Sequence, residues 1–336
     1  VGEQFGVLKI PVSSGAIFDL ATFREESDYK DGRRPSHVFA STPLQDVLRR
    51  DFTINSLFWD DENKHIVDLT AGVFDLQNCL LKCVGNPKVR FEEDYLRIIR
   101  LVRFSVQLQM SIDSDTFQQA FELMERVQKI SGERIWTELK KTFRYIEPIF
   151  LKSDIFIKMV REVFGGSFEV NTLLQKLTSV SLLENQSEWQ LLIFITQLNI
   201  EVEALESLLK NRFKVSTITF QRFRSLCWVL KKSPRFEFEE LCYHVEKNKH
   251  FYEALAILSR FEKSYLEVLK KVNIVLQTYP QPLISGADLM SVIPSSQISE
   301  ALMWLRKRQF AGDVFDKTEA IQMICQSFNK PRQETE

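Results

Sequence analysis

Residues 91–104 read FEEDYLRIIRLVRF (Phe91-Glu92-Glu93-Asp94-Tyr95-Leu96-Arg97-Ile98-Ile99-Arg100-Leu101-Val102-Arg103-Phe104). Leu96, Ile98, Ile99, Leu101, Val102 and Phe104 give more apolar surface than one helical stripe needs, so the stretch predicts a mostly buried amphipathic helix. Its polar residues are regular too. Asp94, Arg97, Arg100 and Arg103 recur every third position, and residues three apart are neighbours on a helix surface. The pattern predicts one continuous helix that presents an acid and a guanidinium side by side.

Such a pair has two uses. As an i,i+3 ion pair on a solvated face it would stabilise the helix by about 0.2–0.5 kcal/mol. As a recognition device it accepts with the carboxylate and donates with the guanidinium, through charge-assisted, planar hydrogen bonds. The Watson–Crick edges of C and A each offer an amino donor beside a ring-nitrogen acceptor, and those of U and G offer the reverse. Asp94 beside Arg97 would therefore take C or A and refuse U or G.

The flanking blocks favour recognition. Glu93-Asp94-x-x-Arg97-x-x-Arg100 follows Arg49-Arg50-Asp51-Phe52-Thr53-Ile54-Asn55. In order and distance the two blocks resemble those of the class II tRNA nucleotidyltransferases, the CCA-adding enzymes, and of their relatives the bacterial poly(A) polymerases. Asp68-Leu69-Thr70-Ala71-Gly72-Val73-Phe74-Asp75-Leu76 is similar to a third family block, with Leu69 for the usual Pro and Ala71 for the first Gly. If residue 71 needs a positive φ, Ala is costlier there than Gly. Ser131-Gly132-Glu133-Arg134 resembles a fifth block that orients the base-reading helix, with Ser131 placed as N-cap. Near the end, Gly286, Asp288, Leu289, Arg306, Lys307, Arg308 and Gly312 resemble a tail module, with Ser295 and Ser296 where the family has glycines.

The resemblance implies an α+β, mostly α fold: a polymerase-β-like nucleotidyltransferase head with a mixed sheet over residues 1–84, a helical neck over 85–147 that recognises the base, and a helical body and tail over 148–336 that binds tRNA. It implies addition of C and A to the 3′ end of tRNA from CTP and ATP, with Mg²⁺. Arg49, Arg50, Asp51, Asn55, Asp94, Arg97 and Arg100 would bind the nucleotide, with Arg50 and Asp19 serving catalysis. Arg306, Lys307 and Arg308 would hold the acceptor arm of the RNA. The paired Asp that bind metal are expected upstream of Val1, with Asp19 as a possible third acid. Alternatives are a poly(A) polymerase or A-adding enzyme of the same family, and an inactive RNA-binding remnant.

Composition bounds these readings. The 336 residues are 44% hydrophobic and include 27 Phe, enough for a sizeable core, while charge is nearly balanced at −1. Bulk charge therefore does not mark a nucleic-acid binder, and any RNA site must come from local clusters. Candidates are Lys210–Lys214, Arg222–Arg224, and Lys231, Lys232 and Arg235, each also readable as a solvated face. The five Cys include no CxxC, which fits a reducing cytoplasm. Cys79 and Cys83 read as packing residues. There is no zinc pattern, membrane span or sign of an obligatory protein partner. Locally, residues 5–12 and 15–24 predict a strand pair. Residues 25–36 predict a polar loop in which Arg33 and Arg34 could touch phosphate. Residues 43–59 predict one helix that begins after Pro43, with Asp51 and Asn55 one turn apart.

Overall fold

The structure is a computed structural model that describes residues 7–11, 16–29, 35–40, 42–147, 149–166, 187–232, 237–260 and 262–328. The chain divides into two compact units, residues 1–215 and 216–336. The head and neck expected from sequence both fall in the first.

The first unit begins with strand pairs. β1 (Val7–Pro11) pairs antiparallel with β2 (Ile17–Ala21), the strand pair expected over 5–12 and 15–24. β3 (Arg24–Tyr29) pairs antiparallel with β4 (Pro35–Ala40). The stretch predicted as a loop thus opens and closes in strands, because ladder hydrogen bonds join backbones whatever the side-chain polarity. Arg33 and Arg34 lie outside the described residues.

The helix predicted over 43–59 is shorter. α1 (Pro43–Leu48) has a capping box in which Thr42 and Gln45 satisfy each other's backbone amides. Beyond it the backbone is taken by another segment. Thr53 N donates to Lys82 O at 3.0 Å and Val84 N to Asp51 O at 3.1 Å, around an antiparallel bridge between Phe52 and Cys83. A backbone amide so committed cannot also continue a helix. A single 3₁₀ turn, Thr53–Asn55, comes after it. Next are the hairpin β5 (Phe58–Asp60) and β6 (His65–Val67), then α2 (Gly72–Gln77).

Ala71 sits in the left-handed region at φ 61° and ψ 29°, the conformation that favours glycine. Its neighbour Gly72 is glycine for a different reason, close approach. A Cβ there would lie 2.2 Å from the carbonyl oxygen of Thr53, so glycine lets α2 press on the 3₁₀ turn. The Asp68 carboxylate accepts from the amides of Thr70, Gly72 and Val73 at 2.9–3.1 Å and so closes the turn. Burial opposes its charge most, but these amide bonds outweigh it and hold its carboxyl below the usual range.

β7 (Leu80–Leu81) pairs in parallel with β8 (Ser111–Ile112). Between them lie α3 (Pro87–Glu93) and α4 (Leu96–Leu108). The continuous helix predicted over 91–104 is therefore broken. Asp94 is extended, at φ −151° and ψ 103°, and its Oδ1 accepts the Leu96 amide at 3.1 Å. Asp is a poor helix-interior residue because its side chain competes for nearby amides, and here that competition ends α3 and caps α4. α4 buries Ile98, Ile99, Leu101 and Val102 fully, as its apolar surplus predicts. Then come α5 (Ser114–Glu122), α6 (Gly132–Phe143), α7 (Asp154–Phe164), α8 (Ser187–Ile195) and α9 (Val202–Ser207). Phe143, Phe156 and Phe194 meet with ring centroids 4.9–6.4 Å apart. Burying each such ring stabilises the unit by about 1.5–3 kcal/mol.

The regular elements described in the second unit are all helices: α10 (Thr217–Lys232), α11 (Phe238–Lys247), α12 (Lys249–Leu258), α13 (Lys263–Thr278), the short α14 (Gly286–Leu289), α15 (Ile298–Ala311) and α16 (Lys317–Phe328). Ile284, Leu289, Ala301, Leu305, Ala320 and Ile324 form the core of its tail. Gly312 ends α15 at φ 79°, the left-handed stop common after helices. Among the described residues no helix is long and apolar enough to cross a membrane.

Candidate functional site

A cleft of about 440 Å³ in the first unit is lined by Arg49, Arg50, Asp51, Asn55, Asp94, Arg97, Arg100 and Phe104. Every nucleotide-binding residue expected from sequence lines it. Three pieces of chain supply them: the end of α1 with the turn after it, the break at Asp94, and the first turns of α4. The anchoring of residues 51–53 to 82–84 brings the first piece to the other two.

Four arginines face two aspartates, so the cleft favours anions. Each side chain is held. Arg49 donates to Asp46 Oδ1 at 3.0 Å, and Arg50 donates to Asp46 Oδ2 at 3.0 Å and to the Asn55 carbonyl at 2.7 Å. Asp46 is buried, which makes it the counter-ion that orients both guanidiniums. Asp51, also buried, is saturated. Its Oδ2 accepts from Arg100, with Nε at 2.7 Å, and its Oδ1 accepts from the Phe52 amide at 2.9 Å and from Asn55 Nδ2 at 3.1 Å. Asp51 and Asn55 do meet, as their spacing predicts, although no helix joins them.

The break alters the expected base-reading pair. Asp94 and Arg97 share the cleft but hold different partners. Arg134, on the first turn of α6, forks onto Asp94 at 2.7 and 3.3 Å. With the Leu96 amide this fills three of about four lone-pair positions on the carboxylate. Arg97 donates to Glu93 Oε2 at 2.6 Å, to the Arg90 carbonyl at 2.8 Å and to the Arg49 carbonyl at 2.5 Å. Its Nε–H and one terminal N–H have no partner among the described residues. Each member of the pair thus keeps capacity for a ligand while its position is fixed. Arg103, the next in the series, is a core residue: it pairs with buried Glu138 at 2.6 Å and stacks on Phe104.

Sequence reasoning missed Asp46 and the role of Glu93 as the clamp on Arg97. An i,i+4 scan from each arginine toward the N-terminus would have found both. It placed Arg134 in the neck without its partner. Ser131 does occupy the N-cap of α6, but its side chain makes no cap hydrogen bond.

Asp19 lies on β2, about 60% exposed, opposite Lys9, which donates to it at 3.2 Å. Among the described residues no group of three or more His, Cys, Asp or Glu could hold a metal ion. One exposed carboxylate already facing an ammonium is not a Mg²⁺ ligand set, since that ion demands several oxygens in near-octahedral array. The described residues therefore do not by themselves fit the metal.

The basic tail string needs a correction. Arg306 is not available to RNA: it is 4% exposed, and all its N–H groups are spent inside the second unit. They go to Glu246, the carbonyls of Tyr279 and Gln281, and Gln309 Oε1. Lys307 is half-buried, and Arg308 is exposed with Asp313 at 2.9 Å. Of the other basic strings, Arg212 donates to the Gln128 carbonyl, Lys214 pairs with Glu133 and Arg222 pairs with Glu253. Arg235 lies outside the described residues.

Comparison with known proteins bears on this site. Residues 1–82 match the family described as Poly A polymerase head domain, and residues 109–149 the one described as Probable RNA and SrmB-binding site of polymerase A. The CCA-adding enzyme of Enterococcus faecalis is 30% identical over 344 residues, covering 96% of this chain and 80% of that protein. The chain belongs to the CCA-adding enzyme family. The CCA-adding enzyme of Lactobacillus helveticus is 39% identical over 203 residues, which span 59% of this chain and 50% of the relative. The chain spans 36% of the Oceanobacillus iheyensis CCA-adding enzyme and 34% of the Ligilactobacillus salivarius one. The fold is that of solved CCA-adding enzymes. It matches the Bacillus stearothermophilus enzyme in complex with CTP at TM-score 0.73 and 18% identity, over 97% of this chain and 82% of the other. It matches the Thermotoga maritima enzyme complexed with tRNA at TM-score 0.64 and 17% identity, over 97% and 80%.

Proposed function

We propose that the chain takes part in adding C and A to the 3′ end of tRNA, using CTP and ATP, and that its cleft holds the incoming nucleotide. The observation that carries this reading is the convergence of Asp94 and Arg97 on one cleft, each clamped from behind and each with hydrogen-bonding capacity left. Asp94 accepts the amino group of C or A, and Arg97 donates to the ring nitrogen. Charge-assisted bonds of this kind contribute about 1.5–3 kcal/mol each.

The rest of the cleft divides the nucleotide's remaining groups. Arg49, Arg50 and Arg100 face phosphate, where a planar fork matches the oxygens. Asp51 has no lone pair left for the sugar, so it acts as the post that positions Arg100 and Asn55. Asn55, with its side-chain Oδ1 and one Nδ2–H remaining, meets the ribose. Nucleotidyl transfer in this family reading uses Mg²⁺, which when bound supplies charge neutralisation at the phosphates. The described residues contribute grip and orientation of the nucleotide. The solved relative complexed with tRNA supports RNA as the second substrate.

A poly(A) polymerase of the same family is the weaker reading, because the curated relatives are CCA-adding enzymes. Incubating the full-length protein with tRNA that ends at its discriminator base, and with each triphosphate alone, separates the two. Incorporation of C supports CCA addition. Runs of A with no C would overturn it.

A further inference from the structure

The second unit has a cavity of its own, of about 370 Å³, that the cleft in the first unit does not use. Two helices and the segment before α14 wall it. α11 contributes Tyr243 and Lys247, four residues apart and so on one face. α15 contributes Ser299, Leu302 and Leu305, and the loop contributes Pro282, Leu283 and Ile284. Leucine, isoleucine and proline side chains and one aromatic ring share the walls with polar ones, including Ser285, Arg306 and Gln309, the mix of apolar surface and placed polar groups found in small-ligand sites.

The charge arrangement decides the ligand class. Glu246, next to Lys247, would ordinarily neutralise it. Here both Glu246 oxygens accept from Arg306, and Lys247 Nζ stays 3.9 Å from the nearer of them. Arg306 thus takes most of the carboxylate's capacity and leaves the Lys247 side chain weakly paired and more than half exposed. The hydroxyls of Tyr243 and Ser299 make no hydrogen bond among the described residues. A cation paired only at long range, 3.9 Å from Glu246, and two spare hydroxyls beside an aromatic face and leucine walls fit a flat ring that carries a phosphate. An acyl chain would find no such polar mouth, and a bare anion would not need the leucines.

We propose that this cavity binds a single nucleotide: the base packs between Tyr243 and the Leu302–Leu305 wall, and the phosphate meets Lys247. Base stacking on aromatic rings is tolerant of sequence, so the site would grip rather than discriminate. The same chemistry could come from a free triphosphate or from an unstacked nucleotide of RNA. The inference rests on the reading of the chain as one that handles nucleotides and RNA, but not on the base-reading pair.

Photolabelling tests it on the whole chain. One arm uses 8-azido-ATP and the other a short single-stranded RNA containing 4-thiouridine, each followed by peptide mapping. Label within 238–247, 282–285 or 299–309 from either probe supports the site, and the probe that labels names its source. Lys247→Glu should reduce that label about tenfold, the scale of one charge-assisted contact. Leu302→Trp, which fills the cavity, should abolish it, and Arg97→Ala should leave it intact. Absence of label from both probes overturns the proposal, as does label that persists unchanged in Leu302→Trp. Loss of label in Arg97→Ala would mean that the label reports the cleft in the first unit, and that too overturns it.

Discussion

Arg97 and Arg306 look alike in sequence and in burial, for each belongs to a helical stripe and each is less than one-tenth exposed. Their hydrogen bonds differ. Arg306 gives every N–H to protein acceptors, five of the contacts reaching residues at least 25 positions away. Arg97 gives three and keeps two at the edge of the cleft. A buried arginine whose donors are all matched fastens the fold, whereas one with donors to spare can also read a ligand. The difference teaches that donors must be counted, since neither charge nor burial separates the two.

The largest effect should come from breaking the saturated member. Arg306→Met strands Glu246 and the Tyr279 carbonyl, and should lower stability by about 3 kcal/mol, the lower end for a disrupted buried pair. Denaturant melts would register this, and RNA affinity per folded molecule should not change. Arg97→Ala should act on function instead. Use of CTP and ATP should fall together, about 30-fold, as expected when roughly 2 kcal/mol of charged hydrogen bonding is lost. A fall in one nucleotide alone would contradict a shared reading of their common edge. Arg134→Ala releases Asp94 without touching a base, so preference for C and A over U and G should drop about tenfold with smaller change in overall turnover. Arg134→Lys should restore it in part, and failure of both variants to alter preference would show that Arg134 has no part in base reading.

Two smaller effects concern a strained position and a charged one. Ala71→Gly should stabilise the chain by about 1 kcal/mol, because Ala is costly in the left-handed region it occupies. In the tail, a hydrogen bond from Lys317 and the Ser285 capping box hold the Asp288 carboxyl down at about 2, from an ordinary 3.8. A depressed carboxyl contributes stability that is present above pH 3.8 and lost as pH falls toward 2. Carbon-13 titration of the side chain should show the low midpoint, and Lys317→Met should raise it.

Much of the cleft was legible from spacing. The three-residue recurrence of Asp94, Arg97 and Arg100, the four-residue step from Asp51 to Asn55, and the substitution at Ala71 all find their places. The features that sequence did not reveal depended on partners distant along the chain. The helix predicted over 43–59 ends early because residues 82–84 claim the Asp51 carbonyl and the Thr53 amide. The helix through Asp94 breaks where an aspartate side chain can cap the first turn of α4, and periodicity counts apolar residues without seeing that competition. Arg306 reads as part of a surface string until Glu246, 60 residues earlier, is brought beside it. Local pattern placed the elements, and long-range hydrogen bonds decided which charged residues are free to act.

Equilibrium binding of CTP, ATP, UTP and GTP to the wild-type chain and to the double variant Asp94→Ala, Arg97→Ala is the most direct test of base reading by a protein pair. If the pair reads the base, CTP and ATP bind the wild type more tightly than UTP and GTP, and in the variant all four converge on one weaker affinity set by the phosphates. A preference for C and A that survives in the variant would contradict base reading by Asp94 and Arg97.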